Sequence, residues 1–223
     1  MEYKNTLEFM EALNKFVFDI PKLITNVTPI IIEGEQIISK KSVENTIFER
    51  FKDIPFLNRI EVVKQSLFSQ VENKYLSSKD NSHFDYVEDK KTFYDFCKAQ
   101  VDAQVDAMIK TLDSVDIYKL LWSNIEKYTN MDLNSTKELT LNYLNNNEVK
   151  FEDITPIIYI RSSLEGSRSY GNMKHVLIDE AQDYSPLFYK IIKRSFPNAS
   201  LTIMGDLNQR IDKHSNVKNR NSI

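Results

Sequence analysis

Two short apolar runs in the last third of the chain constrain its fold more than any other feature. They are "HVLI" at 175–178 and "ASLTIM" at 199–204, and acidic residues follow each of them closely. The residues between them, at about 185–195, have the spacing of a helix. Strand, helix and strand in this order indicate a parallel pair of strands joined by a crossover helix and buried on both faces. We therefore predict a piece of an α/β sheet in this region.

The preceding residues are predominantly helical by the spacing of their apolar side chains. The exception is "PIIIEGEQIIS" at 29–39, where two β-branched runs flank a Glu-Gly turn and predict a small hairpin. Ser39 is expected to cap a helix that continues to about Phe51. The predicted helices elsewhere span residues 5–18, 56–76, 87–112, 115–128, 135–145 and 154–164.

The predicted fold class is α/β with a mainly helical N-terminal part. We place a boundary near residue 150, between a mainly helical accessory region at 1–150 and the strand-containing region at 151–212. Residues 213–223 have few apolar side chains and are expected to form a flexible tail. The chain contains only four glycines, and this disfavours an all-β fold with many tight turns.

Composition excludes several classes of protein. The 223 residues carry a net charge of −3, so the chain lacks the overall basic signature of many nucleic-acid-binding proteins. The single cysteine, Cys97, cannot form an internal disulfide; it indicates a reducing compartment and is interpreted as a core thiol. No apolar run approaches the ~20 residues of a transmembrane helix, and the N-terminus does not resemble a signal peptide. We therefore expect a cytoplasmic protein without a membrane partner.

The acidic residues at the ends of the two predicted strands indicate nucleotide chemistry. Asp179 and Glu180 follow the first apolar run, and Gly205 and Asp206 follow the second. Ligands of open parallel sheets bind beyond the carboxyl ends of the strands, so these residues are expected to converge on one crevice with Gln209. An aspartate at such a position suits Mg²⁺ held through its water shell. The adjacent glutamate can orient and deprotonate an attacking water.

A plainer interpretation of the same segment is a polar loop with a helix cap. Asp183 and Ser185 are residue types that favour helix caps, and Pro186 is of a type common in the first helical turn. We favour the nucleotide site because the apolar lead-in and a second strand that ends in "GDLNQ" occur together. Their separation is that of a strand–helix–strand unit.

The two motifs also resemble a known protein family. "VLIDEAQD" followed by "IMGDLNQRI" is similar to helicase motifs II and III of the UvrD/Rep-like superfamily 1 DNA helicases. The wider sequence, from "ITPIIYIRSSLEG" to "MGDLNQRIDKHS", looks most like the HelD (helicase IV-like) branch, whose members in Gram-positive bacteria associate with RNA polymerase. The resemblance implies a partial RecA-like ATPase domain at 151–212 and a helical 1B-like insertion within 1–150. It also implies ATP and Mg²⁺ as cofactors, and DNA and RNA polymerase as partners.

The resemblance implies a role for each matching residue of the first motif. Asp179 would be the Walker B aspartate that holds Mg²⁺ through water. Glu180 would be the catalytic base that activates the attacking water. Gln182 and Asp183 would couple this motif to its neighbours around the nucleotide.

The resemblance extends to the second motif, which follows the second strand. Gln209 would sense the γ-phosphate and link the nucleotide state to the DNA-binding face. Gly205 and Asp206 would form the turn that presents Gln209. Many relatives carry an aromatic residue where this chain has Asp212, so the single-strand contact assigned to that position is not expected here.

The sequence contains no P-loop, G-x-x-x-x-G-K-[ST], the segment that surrounds the β- and γ-phosphates with backbone N–H groups. Gly166 and Gly171 have the spacing of its glycines, but Asn172 and Met173 follow them, and they precede a strand instead of following one. The motifs of a second RecA-like domain are missing too. We therefore expect an internal part of a helicase (a gene fragment, a truncated reading frame or a cloned piece) that does not hydrolyse ATP alone. The alternative is a non-catalytic binding module that engages RNA polymerase or DNA.

Overall fold

The computed structural model describes residues 2–78, 87–167 and 169–206, and most of them are helical. The helices are α1 (Leu7–Ile24), α2 (Lys40–Asn45), α3 (Phe56–Ser78), α4 (Val87–Met108), α5 (Ser114–Ser123), α6 (Asn134–Asn145), α7 (Phe151–Glu165) and α8 (Pro186–Ser195). The strands are β1 (Ile30–Ile32), β2 (Glu35–Ile38), β3 (His175–Ile178) and β4 (Ser200–Ile203). The chain divides into two compact units, one from Met1–Ile20 with Leu112–Ile223 and one from Pro21–Thr111.

The predicted hairpin is present in the unit Pro21–Thr111. Strands β1 and β2 pair antiparallel, and the two residues between them, Glu33 and Gly34, both have positive φ angles, 51° and 83°. Two-residue hairpin turns with two positive φ angles match the right-handed twist of the strands. Ser39 caps α2 as predicted, because its hydroxyl accepts a hydrogen bond from the backbone N–H of Ser42.

Helices α3 and α4 pack against each other in the same unit. Cys97 on α4 is buried, and this confirms its interpretation as a core thiol. The ring of the neighbouring residue Phe96 is exposed. Consecutive helical residues differ in direction by about 100°, since a turn contains 3.6 residues. The two neighbours therefore cannot both lie at the centre of a narrow buried face.

The core of the other unit is aromatic. Phe9 on α1 stacks on Trp122 of α5, with ring centroids 5.9 Å apart, and both rings are completely buried. Tyr118 meets Trp122 edge to face one turn away. Trp122 is therefore a packing residue, and burial of each large apolar side chain contributes about 1.5–3 kcal/mol.

A carboxylate is buried in this aromatic core. Asp153 in the first turn of α7 is 0% exposed, and its Oδ1 atom lies 2.6 Å from Nζ of Lys4. The same oxygen accepts a 2.7 Å hydrogen bond from the hydroxyl of Tyr118. Lys4 belongs to the 3₁₀ turn Glu2–Asn5, and its side chain is 3% exposed. The ion pair therefore attaches the start of the chain to α7.

The predicted strand–helix–strand unit is also present. Strands β3 and β4 are parallel, with His175 opposite Ser200 and Ile178 opposite Ile203, and α8 connects them. Helix α8 packs through Tyr189 on the sheet face that carries Ile178. The expectation that the strands are buried on both faces is wrong, because Leu177 is 60% exposed. Successive side chains of a strand point to opposite faces, and α8 covers only one of them.

The predicted boundary near residue 150 falls inside one compact unit, which includes Leu112–Ile223. Helix α5 before this position packs against α7 after it. The assignment of 1–150 to an accessory region and of 151–212 to an ATPase domain stays a prediction. The predicted tail, 213–223, lies outside the described residues. No helix within the described ranges is long and apolar enough to cross a membrane.

Candidate functional site

The described parts of the two predicted motifs lie together at the carboxyl edge of the parallel strands. Asp179 directly follows β3, and Gly205 follows β4 after one intervening residue. Backbone hydrogen bonds continue beyond the strands. The N–H of Met204 donates to the carbonyl of Ile178 over 2.8 Å, and the N–H of Ala181 donates to the carbonyl of Met204 over 2.9 Å. The main chain thus joins the motifs at the edge where open α/β sheets bind ligands.

One buried side chain bridges the two motifs. The Nε2 group of Gln182 donates to Oε2 of Glu180 over 2.6 Å, and its Oε1 accepts from the backbone N–H of Asp206 over 3.1 Å. A carboxylate only accepts and a backbone N–H only donates, so a single orientation of the carboxamide satisfies both partners. Gln182 is 3% exposed, and solvent therefore competes little for these bonds. The bridge positions Glu180 relative to the second motif.

Gly205 allows this close approach. A Cβ atom at position 205 would lie 2.5 Å from Oε1 of Gln182 and 3.0 Å from the backbone nitrogen of Ala181. Both separations are shorter than normal van der Waals contacts. A residue with a side chain would therefore displace either the Gln182 bridge or the turn that follows β3.

The backbone at Glu180 is strained. Its φ and ψ angles, 49° and 41°, are left-handed, a conformation that costs a non-glycine residue about 1–2 kcal/mol. This conformation turns the chain from β3 into the 3₁₀ turn Ala181–Asp183. Asp179 supports the turn, since its Oδ1 accepts a 2.9 Å hydrogen bond from the N–H of Glu180. The turn leaves Asp179 and Glu180 exposed and buries the two residues that follow.

A hydrogen bond from α8 also stabilises the 3₁₀ turn Ala181–Asp183. The hydroxyl of Tyr189 on α8 donates a 2.8 Å hydrogen bond to the carbonyl of Ala181. Burial raises the pKa of Tyr189, so the donor proton stays on its oxygen at neutral pH. The sequence interpretation missed this residue. A tyrosine on the apolar face of α8 was the available signal, because a buried hydroxyl needs a polar partner.

The remaining predicted residues have different surroundings. Asp183 is exposed at the end of the 3₁₀ turn, and its backbone N–H donates to the carbonyl of Glu180 over 3.0 Å. Helix α8 begins at Pro186 as predicted, but the side chain of Ser185 makes no capping hydrogen bond. The plainer interpretation of this segment as a loop with a side-chain cap therefore explains little of its geometry. Gln209, the predicted γ-phosphate sensor, lies outside the described residues.

The charge distribution fits the carboxylate half of a magnesium–nucleotide site. Within the described part of the chain, no lysine or arginine forms a salt bridge with Asp179 or Glu180. Mg²⁺ usually binds one or two carboxylates and completes its shell with water and substrate phosphates. The described residues contain no group of three or more His, Cys, Asp or Glu that could hold a metal unaided. Asp179 can thus supply one ligand or water contact, and phosphate oxygens would have to supply others.

The family model of the UvrD/REP helicase N-terminal domain matches residues 19–220. The chain belongs to the UvrD/REP helicase family. The matched range contains Asp179, Glu180 and Gly205, and UvrD/REP helicases use ATP with Mg²⁺ and bind DNA. The comparison with curated proteins gave no match. Membership of the UvrD/REP family therefore implies that this chain is a superfamily 1 DNA helicase domain.

Proposed function

We propose that this chain supplies the magnesium-binding and water-activating half of an ATP site in a superfamily 1 DNA helicase of the HelD branch. The observation that carries the proposal is the Gln182 bridge between Glu180 and Asp206. It joins the acidic residue suited to water activation to the motif that follows β4. Residues 151–212 would then be part of a RecA-like ATPase domain, and the helices within 1–150 a 1B-like accessory region.

The proposed roles are those that the family resemblance implies, and the contacts of the side chains support them. Asp179 holds Mg²⁺ through water, and its own bond to the N–H of Glu180 fixes its carboxylate at the strand end. MgATP would supply the phosphoryl group that water attacks. Glu180 would accept the proton of that water. The bond from Gln182 engages Oε2 of Glu180, and Oε1 is the oxygen proposed to accept the proton.

The second motif is proposed to report the state of the nucleotide. Gln209 stands three residues after Asp206, and Asp206 is hydrogen bonded to the buried Gln182. A shift of Gln209 towards the γ-phosphate would pull on this segment and change the position of Glu180. Asp183 stands at the end of the same turn and would transmit such a shift to α8. DNA is the proposed substrate track, and RNA polymerase is the proposed partner of the HelD branch.

Manganese as a paramagnetic probe tests the metal assignment directly. Mn²⁺ added to the purified chain should broaden the NMR signals of Asp179, Glu180 and Gly205 before those of other residues. Asp179→Asn should remove this selectivity, whereas Asp183→Asn, which removes the same charge three residues after Glu180, should retain it. Broadening that is uniform over the chain, or equal in both variants, would refute the site.

The absence of a Gly-Lys-Ser/Thr triplet predicts that the chain alone does not turn over ATP. We expect a rate far below ~1 s⁻¹, the lower end of typical enzyme turnover. A coupled ATPase assay with saturating Mg²⁺ measures it. Turnover near 1 s⁻¹ that Glu180→Gln abolishes would show that the chain carries a complete site, and the proposal of half a site would be wrong.

A second candidate function is a non-catalytic binding module. It is favoured by an apolar stripe on α7, where Phe151, Ile154 and Ile158 are exposed at positions i, i+3 and i+7. Exposed apolar stripes of this kind mark interaction surfaces. Calorimetry with MgATP and a pull-down with RNA polymerase separate the candidates. No nucleotide affinity together with polymerase binding that Phe151→Ser abolishes would favour the module.

A further inference from the structure

Within the described part of the chain, two cations one helical turn apart on α8 form hydrogen bonds only with neutral groups. Nζ of Lys190 donates to Oδ1 of Asn14 over 3.1 Å. The guanidinium of Arg194 donates to Oγ of Ser163 over 2.6 Å and to the hydroxyl of Tyr159 over 3.1 Å. That hydroxyl in turn donates to the same Asn14 oxygen over 2.6 Å. Lys190 and Arg194 are called the α8 cation pair below. Hydrogen bonds through the neutral side chains of Asn14 and Tyr159 connect the two cations.

The α8 cation pair is not neutralised by the described part of the protein. No carboxylate there forms a salt bridge with Lys190 or Arg194. Burial, and then the positive charge of Arg194, lowers the pKa of Lys190, so its charge is held in unfavourable surroundings. Arg194 also stacks on the ring of Tyr159 at 4.5 Å and cannot easily turn away. The fold therefore holds two like charges together at a cost in stability.

The position of Arg194 has a simple partial explanation. Cations in the last turn of a helix interact favourably with its dipole, and Lys193 and Arg194 both stand there. Lys190 lies in the middle of the helix, where this effect is weak. Helix dipole interactions therefore explain neither the partial burial of Lys190 nor its approach to Arg194.

We propose that the α8 cation pair binds a phosphate group. An arginine has five N–H donors and a lysine three, and only two of the former and one of the latter are engaged by the contacts above. The unused donors are accessible, because Arg194 is exposed and Lys190 partly so. A phosphate monoester carries nearly two negative charges and three terminal oxygens, and two neighbouring phosphodiesters of a nucleic-acid backbone carry one charge each; either arrangement matches two cations with separate donors. A carboxylate would neutralise only one of them.

This site is separate from the acidic site at the sheet edge. Helix α8 starts next to that edge and returns to the beginning of β4. Arg194 is nine residues beyond Ser185, a distance of about 13 Å along the helix axis. A phosphate bound there is not the γ-phosphate that Glu180 would act on. The inference therefore stands whether or not the acidic residues bind a nucleotide.

Inorganic phosphate is the first probe, titrated at constant ionic strength and followed by NMR signals of Asn14, Tyr159 and Arg194. Lys190→Met keeps the aliphatic stem and removes the charge, and it should weaken phosphate binding about tenfold or more. Lys193 is an exposed lysine on the same helix, and Lys193→Met should weaken phosphate binding less than about twofold. Lys190→Arg should restore binding. Equal losses in the two methionine variants, or no saturable shift at these residues, would overturn the proposal.

Thermal unfolding without phosphate distinguishes a binding role from a structural one. Lys190→Met should leave the melting temperature unchanged or raise it, because it removes a partly buried charge without an ionic partner. Phosphate should then raise the melting temperature of the natural chain more than that of Lys190→Met. A clear fall in melting temperature for Lys190→Met without phosphate would show that the lysine is structural, and the proposal would be wrong.

A second probe identifies the source of the phosphate. A single-stranded oligonucleotide that competes with inorganic phosphate, and whose affinity falls in Lys190→Met, would support a nucleic-acid backbone as the natural ligand. Competition by pyrophosphate but not by the oligonucleotide would support a small phosphorylated molecule. If neither competes with bound inorganic phosphate at the NMR signals named above, the site does not select phosphate groups and the proposal is wrong.

Discussion

Carboxylates occupy two contrasting environments within one compact unit of this chain. Asp153 is completely buried and is neutralised by Lys4, with a further hydrogen bond from Tyr118. Asp179 and Glu180 are exposed at the sheet edge, and within the described residues no lysine or arginine pairs with them. A charge with an internal partner serves the fold, whereas charges brought together without one are available to an external ion. The difference separates a structural carboxylate from candidate functional ones.

The largest effect is expected from breaking the buried pair. Asp153→Ala leaves the ammonium group of Lys4 buried without a partner, and such losses typically cost about 3–5 kcal/mol. Asp183→Ala removes an exposed carboxylate and should change the free energy of unfolding by no more than about 0.5 kcal/mol. Urea denaturation followed by circular dichroism measures both. If Asp153→Ala does not fold, Asp153→Asn replaces it. Similar losses in the free energy of unfolding at positions 153 and 183 would contradict the prediction.

A somewhat smaller effect is expected at Tyr118, which donates to the same carboxylate. Tyr118→Phe removes a hydrogen bond to a charged group, worth about 1.5–3 kcal/mol. Burial, and then the charge of Asp153, raises the pKa of Tyr118 well above its ordinary value of 10.0. The unfolded chain therefore releases this proton at lower pH than the folded one, and stability falls as the pH rises above 10.0.

Urea denaturation of Tyr118→Phe at pH 8 and at alkaline pH checks both statements. The variant should be less stable at pH 8, and its stability should fall less steeply above pH 10. An identical alkaline slope in the variant and the natural chain would mean that Tyr118 ionises as freely when folded as when unfolded. The burial and charge of Asp153 would then have no effect on the ionisation of Tyr118. The contrast between Asp153 and the exposed pair, Asp179 and Glu180, would be weakened.

The third prediction concerns the packing that supports the exposed pair. Gly205→Ala introduces a Cβ atom 2.5 Å from Oε1 of Gln182, and we expect a loss of about 1–3 kcal/mol. Gly171→Ala is the matched control, because its nearest heavy atom would be at an ordinary 3.5 Å. Adding Gln182→Ala should recover part of the loss. Equal melting temperatures for the two alanine variants would show that the turn adapts easily.

The smallest effect on stability is expected at the exposed pair itself. Asp179→Asn relieves repulsion from Glu180 and keeps a side-chain oxygen that can accept the hydrogen bond from the N–H of Glu180, so the net change should stay within about 0.5 kcal/mol. Denaturation without divalent metal measures it. A loss above about 2 kcal/mol would give Asp179 a structural role like that of Asp153. The contrast between the two environments would then disappear.

Local patterns in the sequence predicted much of the fold. The turn Glu33-Gly34, the capping residue Ser39 and the start of α8 at Pro186 all depend on a few adjacent residues, and all were predicted. The edge that carries Asp179 and Gly205 was also predicted, because parallel strands with a crossover helix end on the same side. Exposure of Leu177 was not, since it depends on what covers the second face of the sheet.

The sequence alone determined the family, the order of the elements and the acidic residues at the ends of two strands, because these follow from short-range periodicity and from two motifs. Only the tertiary structure decided which charges are neutralised. Lys4 and Asp153 are 149 positions apart and Asn14 and Lys190 are 176 apart, so no local pattern connects them. Burial determines the energy of a charge, and burial is a property of the packed chain. For that reason one aspartate became part of the core while the pair at the sheet edge stayed available to a metal ion.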